Sequence, residues 1–205
     1  MAEIGERVNV KRGKLIVVSA PSGAGKTTIV RTLMAKYPSM LFSVSATTRP
    51  QRGAEVHGRD YFFLTKEEFE RRIKDGELVE WEEIYGNYYG TLKSEVNRAL
   101  HNGRIMMFDI DVKGGLSIKK HYPDDTVLIF IKPPSVEALH RRLLDRKTED
   151  EATVARRMTR VPMELEKGNE FQYQVVNEDL KTALAAVEAI LTTHTNVEAI
   201  HSSSP

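Results

Sequence analysis

Residues 14–27 read KLIVVSAPSGAGKT, and this stretch decides the fold that the sequence predicts. Its first part, 14–20, is a run of apolar and β-branched residues that is typical of a buried strand. A cluster of turn-forming residues follows at 21–25. Apolar residues then recur at helical spacing up to Tyr37, and Pro38 predicts the end of that helix. The order of strand, glycine-rich loop and helix is the context in which a phosphate-binding loop is expected.

The loop matches the pattern G-x-x-x-x-G-K-[ST], except that Ala20 stands where the pattern has its first glycine. Glycines let successive backbone N–H groups turn towards phosphate oxygens, and the following helix points its positive end at the same anion. Lys26 is placed to reach the β- and γ-phosphates of a nucleotide, and Thr27 to ligate Mg²⁺. A chance glycine-rich turn is the alternative, but it does not account for the strand before the loop and the helix after it. The predicted nucleotide-binding residues are Ala20, Pro21, Ser22, Gly23, Ala24, Gly25, Lys26, Thr27 and Thr28.

Apolar strands and helices alternate along most of the remaining chain. Short continuous apolar runs predict buried strands at 104–110 and 126–131, with a last strand at 174–176. The other predicted helices cover 92–100, about 115–121, a segment capped by Ser135 with Val136, Leu139 and Leu143 on one side, an arginine-rich segment opened by Thr148 and Glu151, and 179–193 with Leu180, Leu184, Val187 and Leu191 on one stripe. Strands of this kind indicate an α/β fold, a parallel sheet covered by helices on both faces.

The segment 41–91 interrupts this alternation with short strands. Strands are predicted at 41–46, 61–64 and 78–85, and around Tyr88 and Tyr89 after the hairpin signal Gly86-Asn87. Thr65 and Glu68 form a capping box, with Leu64 and Phe69 placed as a hydrophobic staple, and open a helix that closes at Gly76. The segment is therefore predicted to be a strand-rich insertion within the α/β chain.

Composition limits the classes of function that the chain can have. A chain of 205 residues suits one domain, and a net charge of +1 does not favour a nucleic-acid or membrane partner. With no cysteine, the chain has neither disulfides nor thiolate metal sites. No apolar run approaches the roughly 20 residues that span a bilayer, and no signal peptide is evident. A cytoplasmic protein is expected, with its oligomeric state left open.

Two arginines in the insertion are candidates for binding the phosphate of an acceptor. Arg49 and Arg52 lie three residues apart beside the hydroxyl side chains of Ser45, Thr47 and Thr48. A guanidinium group binds phosphate oxygens bidentately, and hydroxyl groups add further donors. The sequence therefore predicts an anion site in the insertion, separate from the nucleotide loop.

Carboxylates at strand positions are candidates for contacts with a base and a metal. Glu80 could accept from the N1–H and N2–H₂ donors of guanine, which adenine lacks, and a site built this way rejects the wrong ligand by roughly 10⁴–10⁵. The alternative is a surface carboxylate on an alternating strand. Asp109 and Asp111 end the predicted strand 104–110 and mark either an acidic site or a simple turn.

Taken in order, the motifs closely resemble those of guanylate kinases, from Leu15 nearly to Leu191. They are S-x-P-S-G-x-G-K-T at 19–27, S-V-S-x-T-T-R-x-x-R at 43–52, G-x-D-Y-x-F at 58–63, E-W at 80–81, G-N-Y-Y-G-T at 86–91, D-I-D at 109–111, P-P-S at 133–135 and V-N-x-D-L at 176–180. The resemblance implies a P-loop NTPase-type sheet with a strand-rich insertion that binds the nucleoside monophosphate (NMP) and a helical lid. It also implies transfer of the γ-phosphoryl group of ATP to GMP, giving ADP and GDP, with Mg²⁺ as cofactor, in purine nucleotide metabolism and GMP recycling.

The resemblance also implies roles for individual residues. The GMP phosphate would be held by Ser45, Arg49, Arg52 and Tyr61 with help from Tyr89, and the guanine would be read by Glu80 with Thr91 and Ser45. Asp109 and Asp111 would organise Mg²⁺ with Thr27, partly through water, and Asp109 would contact GMP. Tyr88 and Tyr89 point to opposite faces of a strand, so that one of them is expected only to pack.

A basic run between Arg141 and Arg160 predicts the lid. Most of its charges are expected to form a solvated face. In the family, lid arginines close over the transferred group, and such arginines contribute roughly 10³–10⁵ in rate in related phosphotransferases. Arg146 and Arg157, and then Arg142, are predicted to act with Lys26 as catalytic residues. Lys147 stands where the family often has glycine.

The resemblance divides the chain into one domain with two tails. The predicted domain covers 13–192, with its core at 13–40 and 92–192, the NMP-binding insertion at about 41–91 and the lid at about 141–168. Residues 1–12 and 193–205 are predicted to be tails, the second of them flexible.

Two other functions compete with this interpretation. A catalytically inactive interaction module of the same family is one, but such modules typically lose the phosphate-loop lysine and the lid arginines that this chain has. A kinase of the same fold for another phosphorylated acceptor is the second, and Glu80, Tyr89 and Thr91 argue against it.

Overall fold

The computed structural model describes residues 12–84, 86–145 and 151–198. In chain order its strands are β1 Lys14–Ser19, β2 Leu41–Phe42, β3 Ala46–Thr47, β4 Phe62–Phe63, β5 Leu78–Ile84, β6 Asn87–Leu92, β7 Ile105–Asp109, β8 Thr126–Lys132 and β9 Tyr173–Val176. Its helices are α1 Lys26–Lys36, α2 Lys66–Lys74, α3 Lys93–His101, α4 Val112–His121, α5 Val136–Leu144, α6 Glu151–Met158, α7 Val161–Gly168 and α8 Leu180–His194.

Five strands form the main sheet in the order β2-β7-β1-β8-β9, and all of them are parallel. Alternate residues of β1 are buried on opposite faces. Ile16 and Val18 pack in a core with α1 and α8, whereas Leu15 and Val17 pack in a core with α3 and α4. This confirms the predicted sheet covered on both faces, which is why its strands are apolar without interruption.

A second sheet has the order β4-β3-β6-β5 and lies in the strand-rich segment. Its small core contains Phe69 from α2 together with Ala46, Leu78 and Leu92. The Thr65 side chain caps α2 by accepting from the Glu68 N–H at 3.1 Å, as the capping box predicted. Residues 41–42, which the sequence assigned to the insertion, instead form β2 and pair with β7 in the main sheet.

The structure differs from the sequence-based expectation at several helix positions. Helix α4 begins at Val112 and not near 115, because the Asp111 side chain caps it by accepting from the Gly114 N–H at 2.8 Å. Val136 and Leu180 are exposed at 42% and 43% although the helical spacing places each on the same side as the buried residues of its helix, because each is the first residue of its helix, where the helix end is open to solvent. The predicted capping residue Thr148 lies outside the described residues.

The end of the described chain packs on the core and is not a free tail from residue 193. Helix α8 continues to His194, whose Nε2 lies 2.6 Å from the Tyr173 hydroxyl. Thr195 is buried, and Val197 packs against the same core as α8. Within the described ranges, every helix is too short or too polar to cross a membrane.

Candidate active site

A cavity of about 860 Å³ opens at the carboxyl ends of β1 and β7. This is the edge of a parallel α/β sheet at which ligands bind. Its walls come from the phosphate loop (Ala20, Pro21, Ser22, Gly23, Gly25, Lys26, Thr27), from the second sheet and the residue before it (Ser45, Leu78, Val79, Glu80, Trp81, Glu82, Ile84, Tyr89, Gly90), from the segment after β7 (Ile110, Asp111, Lys113, Gly114, Ser117) and from the arginine-rich helices (Arg157, Arg160, Glu164). One cavity therefore joins the predicted donor and acceptor sites.

Two glycines with left-handed backbone give the phosphate loop its shape. Gly23 has φ of 92° and Gly25 has φ of 97°, a region that side chains disfavour. Ala24 between them is buried, and its carbonyl accepts from the Asn177 side chain at 2.7 Å. Of the nine predicted nucleotide-binding residues, Ala24 and Thr28 do not line the cavity.

Lys26, Thr27 and Asp109 form a polar cluster at the start of α1. Lys26 makes a close ion pair with Asp109 and donates to the Ile110 carbonyl at 3.2 Å. The Thr27 hydroxyl donates to the other Asp109 oxygen at 3.1 Å. Asp109 therefore links the phosphate loop to the end of β7, and its oxygen atoms beside that of Thr27 are the hard donors that divalent cations such as Mg²⁺ prefer.

Asp111 has a structural contact in addition to its predicted place near a metal. One of its carboxylate oxygens caps α4, and the other lies 3.5 Å from the Arg160 guanidinium. Asp111 lines the cavity, whereas Asp109 lies behind Lys26 and Thr27. The two predicted metal-site carboxylates therefore face different surroundings.

Glu80 lies on β5 and faces the cavity. The Thr91 hydroxyl donates to its Oε1 at 2.6 Å. Burial raises the pKa of Glu80 and the nearby Asp111 carboxylate raises it further, although the Thr91 hydrogen bond opposes both. A methyl group at Gly114 would lie 3.4 Å from Glu80 Oε2, so that the first turn of α4 approaches this carboxylate closely. Glu80 is thus an acceptor in a recess.

Tyr88 and Tyr89 lie on opposite faces of β6, as the strand alternation predicted. Tyr88 stacks on Phe69 at 5.3 Å between ring centroids and belongs to the small core, whereas Tyr89 lines the cavity. Ser45 lines the cavity as well. The structure therefore brings Ser45, Glu80 and Tyr89 to one wall, with Thr91 behind Glu80.

Arg49 is buried and held by Glu55. Its two terminal nitrogens donate to the two Glu55 carboxylate oxygens at 2.8 and 3.1 Å, and the Arg52 backbone N–H donates to the same carboxylate at 2.8 Å. Arg49 and Arg52 lower the pKa of Glu55, which therefore stays ionised. The Arg49 guanidinium also lies 5.2 Å from the Tyr61 ring, over which a cation is favoured.

These three residues lie beyond the cavity wall, because Arg49, Arg52 and Tyr61 do not line it. Tyr61 nevertheless meets Tyr89 edge to face at 6.2 Å between centroids. Tyr89 therefore stands between the predicted phosphate site and the cavity.

The predicted lid arginines have different positions. Arg157 lines the cavity and donates to the Ser22 hydroxyl at 2.7 Å, which connects α6 to the phosphate loop. Arg142 lies outside the cavity wall and donates to the carbonyls of Asn177 and Glu178 at 3.0 and 3.3 Å. Arg146 lies outside the described residues.

Several residues of the site were not singled out from the sequence. Arg160 and Glu164 line the cavity, four residues apart across the start of α7, a spacing that brings side chains together on a helix. Asn177 was quoted only as part of a motif, although it is buried against the phosphate loop. The Arg160–Glu164 spacing was a signal that the sequence carried, whereas nothing in the sequence pointed to Glu55.

Comparison with known proteins shows which family the sequence and the fold resemble. The sequence model of one family, described as Guanylate kinase, matches residues 12–194. A guanylate kinase of Chlorobium luteolum is 46% identical over 187 residues, covering 91% of this chain and 93% of that protein. A guanylate kinase of Thermotoga maritima is 46% identical over 180 residues, covering 88% and 86%. The crystal structure of guanylate kinase from Anaplasma phagocytophilum aligns with a TM-score of 0.66 at 29% identity, covering 89% and 86% of the two chains. This likeness confirms the predicted fold class.

Proposed function

The chain belongs to the guanylate kinase family and transfers the γ-phosphoryl group of ATP to GMP, and we propose which residues of the cavity perform this reaction. The observation that carries the proposal is that a single cavity is lined by Lys26 of the phosphate loop and by Glu80 of the second sheet. The donor phosphates lie on the first wall and guanine on the second, so the two substrates meet between them.

ATP is held by residues 20–28. The glycines leave backbone N–H groups open to phosphate oxygens, and the N-terminus of α1 favours the same negative charge. Lys26 leaves Asp109 far enough to contact the β- and γ-phosphates, while Arg157 is already hydrogen-bonded to Ser22 beside them. Arg146 acts with Arg157 as a lid arginine, and Arg142 joins them once it gives up its hydrogen bonds to the Asn177 and Glu178 carbonyls.

GMP is held by Glu80 at its base and by Arg49, Arg52, Tyr61 and Tyr89 at its phosphate. Ionised Glu80 accepts from the two donors of guanine, and Thr91 keeps it in place from behind. Ser45 adds a hydroxyl beside them. AMP would leave the recessed carboxylate without donors, and this is the physical basis of selectivity.

The reaction is an in-line attack by a GMP phosphate oxygen on the γ-phosphorus. The attacking oxygen is already an anion, so no general base is needed, and catalysis consists of positioning and charge neutralisation. We further propose that the second sheet and the helices α6 and α7 of the predicted lid close over the substrates. Closure excludes water, which would otherwise hydrolyse ATP.

Guanylate kinases are ATP-dependent phosphotransferases, and we propose Mg²⁺ as the accompanying ion. The Thr27 hydroxyl and the Asp109 carboxylate offer oxygen donors 3.1 Å apart beside the phosphate loop, with Asp111 within reach through water. When bound with ATP, Mg²⁺ would neutralise charge on the β- and γ-phosphate oxygens.

We also propose that the enzyme works in the cytoplasm, where ATP is available as a phosphoryl donor. Fractionation of cells followed by an assay for GMP-dependent ADP formation tests this location. Activity confined to a membrane or secreted fraction would contradict it.

A coupled assay of ADP release tests the main proposal. With ATP and Mg²⁺, we expect strong turnover with GMP and none above background with AMP, CMP or UMP. Glu80→Gln should lower kcat/KM for GMP by about 10- to 100-fold, because a charge-assisted hydrogen bond is lost. Glu83→Gln, an exposed carboxylate on the same strand, is the matched control. Equal effects of the two substitutions would show that Glu80 does not read guanine.

A further inference from the structure

Arg160 lies at the corner between α6 and α7 and lines the cavity. It is the residue directly before α7, with helical backbone angles of φ −84° and ψ −22°. Arg157 precedes it on α6 and Glu164 follows it on α7, and both also line the cavity. The corner therefore directs a group of charged side chains at the place where the substrates meet.

Arg160 is held loosely between two carboxylates. Its terminal nitrogen lies 3.5 Å from Asp111 Oδ2, and its Nε lies 3.8 Å from Glu164 Oε1. Both separations exceed those of good hydrogen bonds. Arg160 forms no hydrogen bond through its guanidinium with any residue of the described ranges, and its side chain is 45% exposed. Its charge is fixed in position while its donors stay available.

The other described arginines of the site are committed to protein contacts. Arg49 donates to Glu55, Arg142 donates to two backbone carbonyls, and Arg157 donates to Ser22. A guanidinium group carries five N–H donors in a rigid fork. Arg160 therefore has a greater capacity to bind a new anion than these three arginines.

Glu164 gives a reason why Arg160 must stay in the cavity. The Glu164 carboxylate is buried, and its Oε2 finds no hydrogen-bond partner among the described residues. Burial raises the pKa of Glu164, which Arg160 and the Ser22 backbone oppose. Because a buried carboxylate needs a nearby positive charge, Glu164 keeps the Arg160 side chain at the cavity wall.

The two carboxylates mark opposite halves of the site. Asp111 lies on the acceptor side, where a methyl group at Gly114 in the first turn of α4 would lie 3.4 Å from both Asp111 Oδ1 and Glu80 Oε2. Glu164 lies on the donor side, close enough to Ser22 and Lys26 for both to lower its pKa. Arg160 stands between them, 3.5 Å from the Asp111 carboxylate and 3.8 Å from that of Glu164.

We propose that Arg160 is a further catalytic residue, which binds the phosphoryl group during its transfer while Asp111 and Glu164 position it. This inference rests on the proposed function. A GMP phosphate oxygen forms a bond to the γ-phosphorus, and the bond from the γ-phosphorus to the β–γ bridging oxygen breaks. Its electron pair leaves with ADP. The negative charge on the moving group and the bridging oxygen is where two N–H donors of Arg160 act.

Single-turnover and steady-state kinetics of Arg160→Gln test the proposal. We expect the single-turnover rate and kcat to fall by about 10²–10³-fold, while KM for ATP and GMP changes less than about threefold. The control Arg156→Gln removes the same charge from an exposed position on α6 that does not line the cavity, and we expect nearly normal rates. A rate for Arg160→Gln equal to that of the control would overturn the proposal.

Arg160→Lys keeps a positive charge beside Glu164. It therefore tests the proposal even if the glutamine variant fails to fold. An ammonium group cannot donate bidentately, so we expect a folded protein whose single-turnover rate is reduced by about tenfold or more. An undiminished rate in this variant would also overturn the role of Arg160. Absence of GMP-dependent ADP release in the wild-type protein would instead contradict the proposed function itself.

Discussion

At the scale of single residues, ion pairs determine which charged groups face the substrates. Glu55 binds both terminal nitrogens of Arg49 and the backbone of Arg52, so that one carboxylate organises both arginines predicted to hold the GMP phosphate. The arginines were predictable because guanidinium groups beside hydroxyl groups suggest phosphate. Glu55 was not, because its contact depends on how the loop between β3 and β4 folds back.

Glu55→Gln should raise KM for GMP by about tenfold and leave KM for ATP unchanged. Glutamine has the same shape but cannot bind two nitrogens as a charged acceptor, and hydrogen bonds to charged groups are stronger than neutral ones. Steady-state kinetics with each substrate varied in turn measure the effect, and Glu67→Gln, on the exposed side of α2, is the control. A lower KM for GMP would show that Glu55 competes with the phosphate instead of organising its site.

The raised pKa of Glu80 should shift the acid limb of the pH profile for GMP. Burial favours the protonated carboxyl, so as the pH falls Glu80 takes up its proton earlier than an ordinary glutamate does. Protonated Glu80 cannot accept from both guanine donors, and kcat/KM for GMP therefore falls in that range. The ionisation of the GMP phosphate affects the pH profiles of wild type and Glu80→Gln equally, so it cancels when the two profiles are compared. The acid limb that only the wild type shows is expected above the usual glutamate range, and identical profiles would refute this assignment.

At the scale of elements, the strands were largely predictable and the start of α4 was not. Continuous apolar runs indicate buried strands. The runs at 14–20, 104–110 and 126–131 each form a strand of the main sheet, β1, β7 and β8. Helix α4 begins earlier because Asp111, interpreted as a metal-site residue, also caps the helix. Sequence spacing alone does not show that the Asp111 side chain caps a helix as well as facing the site.

The junction of the phosphate loop and α1 depends on Gly25. A methyl group there would lie 2.3 Å from the Asn177 amide nitrogen, in addition to the cost of a left-handed backbone. Gly76 also has positive φ, but no atom of the part of the chain that the structure describes lies within 4 Å of the corresponding position. Gly76→Ala should therefore lose only about 1–2 kcal/mol of unfolding free energy and keep its activity. Gly25→Ala should lose more stability and raise KM for ATP by tenfold or more. Urea unfolding and kinetics compare the two variants, and equal losses would exclude a role for the Asn177 contact.

At the scale of the whole molecule, the substrates connect parts of the chain that have separate cores. The parallel sheet and the second sheet have separate hydrophobic cores and share the walls of one cavity. The sequence predicted the sheet and the insertion but not Arg160 and Glu164 at their meeting point. Their position depends on the corner between α6 and α7, for which the sequence offered only the four-residue spacing.

GMP should therefore stabilise the entire fold. A ligand that binds only the native state at about 100 times its Kd adds about 2.7 kcal/mol to the free energy of unfolding. For a domain of this size, that corresponds to a rise in Tm of roughly 5–10 °C. Differential scanning calorimetry with GMP, AMP and no ligand measures the rise, which AMP should not produce. A similar rise with AMP would contradict the selectivity assigned to Glu80.

The strand order also determines how long β1 stays unpaired while the chain is being translated. Strand β1 is central in the sheet, yet its partners β7 and β8 come much later in the chain, with Lys14 opposite Ile105 and Leu15 opposite Thr126. About 90 residues separate β1 from β7, the first of its partners to be synthesised, and at the usual rate of translation the ribosome takes roughly 5–20 s to make them. Throughout that interval the apolar segment KLIVV has no sheet to join, and it is therefore a segment of the nascent chain that chaperones can bind.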